Sequence, residues 1–238
     1  TTEADLKAVT GDLISGNAAT QTKNNLWMSG TDDITFSGTD GSVTVQLGFV
    51  AAKIELIVKD NRTNLTGGTI EITDENVVLL YAGKSGKFFG TTADKAAQTA
   101  FYSGDISYPD FQTGVATESA VLKDAVGAAF TANANGDVFN HFYTFGNDGT
   151  SKPTILAIQS KRTVGGADET IYYPIQFTVA DAGNTIEPGN AYTVTLTLNG
   201  DVSAGGTTNP EQPLVKSQIT VTVTAATWLA KTVSKDFN

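Results

Sequence analysis

Gly189-Asn190-Ala191-Tyr192-Thr193-Val194-Thr195-Leu196-Thr197-Leu198-Asn199-Gly200 alternates apolar and polar side chains almost without error. After a polar loop rich in Gly and Pro, Ser217-Gln218-Ile219-Thr220-Val221-Thr222-Val223-Thr224-Ala225-Ala226-Thr227-Trp228 does the same. Thr193, Thr195 and Thr197 oppose Tyr192, Val194, Leu196 and Leu198. Thr220, Thr222 and Thr224 oppose Ile219, Val221 and Val223. A period of two, with one apolar and one polar face, predicts antiparallel strands buried on one side.

The same pattern recurs upstream. From Ser42 a long strand carries Val43, Val45, Leu47 and Phe49, and the apolar phase then moves to Ile54, Leu56 and Val58. The slip falls at Ala51-Ala52, and in a period-two pattern it predicts a bulge or a strand break. Further strands are expected at Ile70–Ile72, Val77–Tyr81, Phe139–Phe145, Thr154–Gln159 and Ile171–Val179. Shorter ones are expected at Asn24–Ser29 and Asp33–Ser37, with Trp27, Ile34 and Phe36 as buried anchors. Gly38-Thr39-Asp40-Gly41 is a turn signal and the clearest candidate boundary. Thr2–Ile14 reads as a helix, with Thr2 as N-cap and Leu6, Val9, Leu13 and Ile14 on one face. Gly83–Gly136 is too long for plain loop. Short strands or helical turns are expected in it, with helix-permissive residues at Ala93–Ala100 and Ala120–Ala128. The fold class is all-β, mainly antiparallel: a β-sandwich with short helical insertions.

Composition narrows the function. The 238 residues can bury an ordinary core. There is no cysteine, which excludes disulfides, thiolate metal sites and thiol nucleophiles. A net charge of −10 argues against nucleic acid and anionic lipid as partners. The single histidine, His141, lies between Phe139 and Tyr143 on one strand face and reads as structural. A Ser-His-Asp triad would have to use it, and no serine stands in a nucleophile elbow. Zinc sites rely on His and Cys and are effectively excluded. Gly83-Lys84-Ser85 imitates a phosphate loop, but the position that needs the earlier glycine is Val78. Asp32-Asp33 and Asp40-Gly41 lack the spacing of a calcium loop and read as solvated turns. Asn61-Arg62-Thr63 and Asn64-Leu65-Thr66 have the form of glycan acceptors, but read more simply as an inter-strand turn. Trp27, Trp228, Tyr172 and Tyr173 could form a sugar-stacking platform or fill a core. The residues point to a non-enzymatic extracellular β-sandwich with no catalytic, cofactor or metal site, and leave adhesin, lectin and structural subunit open.

The C-terminal half resembles a major fimbrillin of the type V pili of Bacteroidia. The carrying segments are Phe142-Tyr143-Thr144-Phe145-Gly146-Asn147, Lys152-Pro153-Thr154-Ile155-Leu156 and Tyr172-Tyr173-Pro174-Ile175. Ile186-Glu187-Pro188-Gly189-Asn190-Ala191-Tyr192, Asn209-Pro210-Glu211-Gln212-Pro213 and Val221–Trp228 follow in the same order. Val43–Val58 is similar to the strand opening that domain. Leu6–Val9 and Asn25–Ser29 are similar to the end of the family's N-terminal domain. The resemblance implies two transthyretin-like sandwiches, with 1–41 the last part of the first and 42–238 the second. It implies export as a lipid-anchored precursor to the outer membrane and a place in cell-surface fimbriae. It also implies removal of an N-terminal strand by a trypsin-like protease, which opens a groove for a neighbouring subunit's C-terminal strand. The implied partners are copies of the same chain, accessory pilins and host glycans or proteins. An accessory or tip pilin, and a carbohydrate-binding module, are the alternatives.

On that resemblance the tail, 225–238, is the donor strand, carried by Thr227, Trp228, Leu229, Ala230, Lys231, Thr232, Val233 and Phe237. In extended form Leu229, Val233 and Phe237 share one face with Lys231 and Lys235, and Trp228, Ala230 and Thr232 share the other. The four-residue apolar spacing also suits a helix. A further alternative pairs Thr227–Val233 within its own sheet and leaves Ser234–Asn238 frayed.

Overall fold

A computed structural model describes residues 2, 4–5, 8–12, 26–61, 70–71, 77–88, 101, 122–123, 138–199, 205–214 and 219–237. Four sheets account for their strands. The first has the order β10 (Val138–Thr144), β5 (Ala52–Asp60), β13 (Asn190–Leu198) and β14 (Ile219–Thr227). The second has the order β12 (Ala167–Gln176), β11 (Ile155–Val164), β7 (Val77–Leu80) and β9 (Leu122–Lys123). Along the edge of β11 that faces β7, β6 (Ile70–Glu71) pairs with Lys161 and Arg162. These two sheets form the sandwich.

Its core explains why the chain folds this way. Ile54, Leu56 and Val58 of β5 are fully buried, as are Tyr192, Val194, Leu196 and Leu198 of β13. They meet Val77 and Leu79, Leu156 and Ile158, and Ile171, Tyr173 and Ile175 from the facing sheet. Each such aliphatic side chain contributes about 1.5–3 kcal/mol by leaving water. The other face of the second sheet is buried too, where Val78, Leu80, Ile155 and Ala157 pack with Tyr81 and Phe101. A strand covered on both faces cannot alternate, so β7 reads Val-Val-Leu-Leu. Pro174, opposite Ala157, is tolerated because β12 is an edge strand, with no further strand beyond it among the described residues.

The third sheet stands beside the sandwich. Its order is β15 (Leu229–Phe237), β4 (Asp40–Phe49) and β2 (Met28–Ser29), with β3 (Thr35–Ser37) on β4 further along. Gly38, at φ 69°, makes the turn from β3 into β4, as the Gly-Thr-Asp-Gly signal predicts. A two-stranded sheet joins β1 (Thr10–Asp12) to β8 (Ser85–Lys87).

Two expectations are corrected. The predicted helix over Thr2–Ile14 gives way to strand at Thr10–Asp12. Thr2 does cap, its hydroxyl accepting the Asp5 N–H at 3.1 Å, but one turn follows, closed by Ala8 N–H on the Ala4 carbonyl. Val9 is left 47 % exposed, so burial of that side chain does not favour a helix, and pairing with β8 prevails. Among the described residues helix is confined to Ala4–Asp5, and most of the segment 83–136, where helical insertions are expected, lies outside them. Of the short strands or helical turns expected there, strands are found at Ser85–Lys87 and Leu122–Lys123, and Ala93–Ala100 lies outside the described residues. Trp27, Ile34 and Phe36 are not buried anchors; they are 41 %, 47 % and 69 % exposed. They belong to the third sheet and its margin, over which no second layer is found among the described residues, and Ile34 and Phe36 lie against Gly41.

The predicted phase slip is a strand break. β4 ends at Phe49 and β5 begins at Ala52, with the buried Val50 and Ala51 between them. The parallel pairing of β13 with β5, from Ala191↔Lys53 to Leu198↔Asp60, is the one feature of this sheet that alternation does not encode.

Candidate functional site at the root of the tail

β14 and β15 are separated by one residue, Trp228, and no turn intervenes. Even so, the two strands lie in different sheets. β14 pairs with β13 from Asn190↔Thr227 to Leu198↔Ile219. β15 pairs with β4, antiparallel, from Leu229↔Gly48 to Phe237↔Gly41, with a register shift between Leu229 and Lys231 that leaves Ala230 unmatched. β4 and β5 are likewise consecutive. β15 therefore takes, beside β4, the lane that β13 takes beside β5.

Gly189 makes this handover possible. Glu187-Pro188-Gly189-Asn190 closes through Asn190 N–H to the Glu187 carbonyl at 3.3 Å, with Gly189 at φ 75°. Pro second and Gly third is the type II turn signature, because only glycine takes that φ without strain. The Gly189 N–H donates to the Ala51 carbonyl at 3.1 Å, and its carbonyl accepts the Trp228 N–H at 2.6 Å. One residue thus ties the β4–β5 break to the β14–β15 link. Tyr192 fixes the turn from below: its phenol donates to the Thr185 carbonyl and accepts the Glu187 N–H, both at 2.8 Å. Burial pushes this phenol up from its ordinary pKa, and repulsion by Glu187 adds to that, against opposing hydrogen bonds from Asn190 and the Glu187 N–H.

The Trp228 ring stacks on Phe49, with centroids 3.9 Å apart and planes at 27°. It also stacks near-parallel to Tyr143 at 5.7 Å and 12°. Phe49 and Tyr143 are buried, and Trp228 is half-buried. Such ring pairs contribute about 0.5–1.5 kcal/mol each beyond the area they bury. Behind them Val50 N–H donates to the Trp27 carbonyl at 3.0 Å, and Leu26 packs on Val50, Ala51 and Phe145.

The residues expected to carry the tail are therefore distributed as follows. Thr227 ends β14, Trp228 is the link, and Leu229, Ala230, Lys231, Thr232, Val233 and Phe237 lie in β15. The tail is extended and paired through Phe237, so neither the helix nor the frayed Ser234–Phe237 is seen; Asn238 lies outside the described residues. Sequence reasoning missed Phe49, Tyr143, Gly189 and the β4 edge. The phase slip after Phe49 and the Pro-Gly pair at 188–189 were the available signals.

The other sequence candidates fall into place. Tyr172 and Tyr173 are fully buried, which removes them from a sugar platform. His141 sits on β10 opposite Glu55. Gly83 bridges Phe101 and Phe145 rather than opening a phosphate loop. Asn61 closes on the Leu198 carbonyl, and Arg62–Thr66, the rest of the two N-x-T motifs, lies outside the described residues. Among the described residues no group of three or more His, Asp or Glu could hold a metal, and no helix is long and apolar enough to cross a membrane.

A second constructed feature lies at Tyr81, the one non-glycine residue with positive φ among those described, at 52°. The fully buried Thr154 donates its hydroxyl to the Tyr81 carbonyl at 2.9 Å and accepts from the buried Asn147 amide at 3.0 Å. The Tyr81 phenol donates to the Glu211 carboxylate, and Lys152 lies 4.6 Å from the ring centroid. They border an open cleft of about 370 Å³.

The C-terminal domain of FimA-like major fimbrial subunit proteins matches this chain over residues 51–228. That span begins inside the β4–β5 break and stops at Trp228, so β4 and β15 both fall outside it. A crystal structure of a candidate cell adhesion protein from Bacteroides eggerthii DSM 20697 is 57% identical, over 96% of this chain and 72% of that one, with a TM-score of 0.74. Two crystal structures of candidate cell adhesion proteins from Parabacteroides distasonis ATCC 8503, each 14% identical, share the fold. Their TM-scores are 0.53 and 0.51, over 95% and 94% of this chain and 70% and 77% of theirs. No protein of curated function matches the chain significantly. Family and neighbours alike support a fimbrial and adhesion role, and the chain belongs to the FimA-like major fimbrial subunit family.

Proposed function

We propose that the chain is a structural subunit of a type V pilus and that β15 is its intermolecular joint, donated to a neighbouring copy by strand exchange. The observation that carries this reading is the placement of the tail. Its strand β15, Leu229–Phe237, pairs outside the sandwich that precedes it, and a single residue connects the two. A strand that pairs in a sheet of its own can leave without breaking the ladders of the sandwich. A second copy offers the same β4 edge in the same register, so the ladder lost inside one subunit is regained between two. Swapping of this kind costs little free energy. Main-chain bonds then supply affinity, and alternating side chains supply register.

In this reading Thr227 and Trp228 stay with the donor, and Leu229, Ala230, Lys231, Thr232, Val233 and Phe237 cross to the acceptor. Residues 1–41 close an N-terminal sandwich and 42–238 form the second domain with its tail. Proteolytic removal of an N-terminal strand opens the groove, after export of a lipid-anchored precursor to the outer membrane. Accessory pilins and host glycans or proteins complete the set of partners.

Deletion of Leu229–Asn238 tests the proposal. The truncated protein is expected to keep its cooperative unfolding transition but to form no fibres by electron microscopy under conditions in which the intact chain polymerises. Added peptide Thr227–Asn238 is expected to cap growth of the intact chain. Fibres of ordinary length from the truncated protein would overturn the reading.

A further inference from the structure

We propose that β14 is a lateral docking edge that pairs with β14 of a second copy, independently of the tail. A sheet edge presents unpaired N–H and C=O groups, and proteins blunt such edges with charge, proline, bulges, shortness or cover. The other edges described here carry one of these devices. β10 has a bulge between Val138 and Asn140. β12 contains Asp168, Glu169 and Pro174, and Thr207 covers it with two hydrogen bonds to Tyr172, at 2.7 and 2.9 Å. β9 is two residues long, β1 and β8 three each. β15 has its register shift and carries Lys231, Lys235 and Asp236.

Among the described residues β14 has none of them. Ile219–Thr227 contains no charge, no proline and no glycine, and its register with β13 is unbroken. β13 is its one neighbour among the described residues. Thr220, Thr222 and Thr224 are exposed, and so are Ala225, Ala226 and Thr227, although those three alternate between faces. Nothing described covers that end of the edge from either side.

The occupant follows from charge and pattern. A chain of net charge −10 repels its copies, least where no charge lies; in sequence the nearest charges to β14 are Lys216 and Lys231. Antiparallel pairing about a two-fold axis at Val223 sets it against the partner's Val223, and sets Thr222 against the partner's Thr224. Solvent faces then meet solvent faces and core faces meet core faces, which joins two four-stranded sheets into one. Such a contact runs beside the tail joint and would bundle shafts rather than lengthen them.

Sedimentation velocity of the intact chain across a concentration series tests this. The wild type is expected to show a concentration-dependent dimer. T222K/T224K sets lysine against lysine across the axis and is expected to weaken dimerisation about tenfold or more, because like charges directly opposite repel. T222K/T224E sets lysine against glutamate and is expected to restore it; an unchanged thermal transition in both variants excludes misfolding. A wild type that stays monomeric throughout, or a T222K/T224K variant that dimerises as the wild type does, overturns the proposal. Tail-dependent fibres in the T222K/T224K variant keep the two joints distinguishable.

Discussion

Thr154 donates its hydroxyl to the carbonyl of Tyr81 at 2.9 Å, and in doing so holds a tyrosine in the left-handed region of backbone space. The Asn147 amide completes the chain by donating to Thr154. Thr154→Val keeps the shape but removes the donor to the Tyr81 carbonyl and one acceptor of the Asn147 amide, which keeps its bond to the Lys152 carbonyl, so a loss of about 1–3 kcal/mol is expected. Denaturant unfolding checks it; an unchanged midpoint would show that Tyr81 needs no such restraint.

Gly189→Ala is expected to destabilise by about 1–2 kcal/mol, because φ near +75° brings a Cβ against the backbone. The added methyl would also lie 3.5 Å from the Phe49 carbonyl oxygen, an ordinary contact, so strain rather than collision is the cause. Hydrogen exchange should quicken in β15 as well as at the turn, since Gly189 links Ala51 to Trp228.

Trp228→Ala removes two ring pairs, each contributing about 0.5–1.5 kcal/mol. At about 1.4 kcal/mol per tenfold change, β15 amides should exchange roughly tenfold faster. The β5–β13 amides are expected to keep their protection. Equal protection of β15 in both proteins would remove Trp228 as the anchor of the tail.

Alkaline pH acts through Tyr192. Its pKa in the folded protein is raised, chiefly by burial, so above the unfolded value of about 10 the folded state holds a proton that the unfolded chain has released. Stability is therefore complete below about pH 10 and falls as pH rises beyond it. Tyr192→Phe should be less stable at neutral pH, having lost its bonds to Thr185 and Glu187, but should decline less steeply in alkali. Parallel decline of the two proteins would sink the assignment.

Strands were legible wherever one face is buried and the other is wet. Tyr192, Val194, Leu196 and Leu198 alternate with threonines because β13 separates core from solvent, and the phase slip after Phe49 marked the break between two sheets. What stayed hidden depends on partners distant in sequence. A parallel β5–β13 pair and an antiparallel one have the same alternation. Phe36 resembles a core residue locally, and only the absence of a described second layer over the third sheet leaves it exposed. The tail root was half visible: its strands and its Pro-Gly turn could be read, but not that Phe49 and Tyr143 would converge on Trp228.

The turnless link at Trp228 has a mechanical consequence. A pull on the tail is transmitted along β14 without a corner, so it drags that strand lengthwise past β13. All nine residues of the ladder then resist together in shear, whereas a strand pulled sideways would peel one bond at a time. A filament built from such links would resist the drag of flowing fluid far better than the modest strength of any single bond suggests.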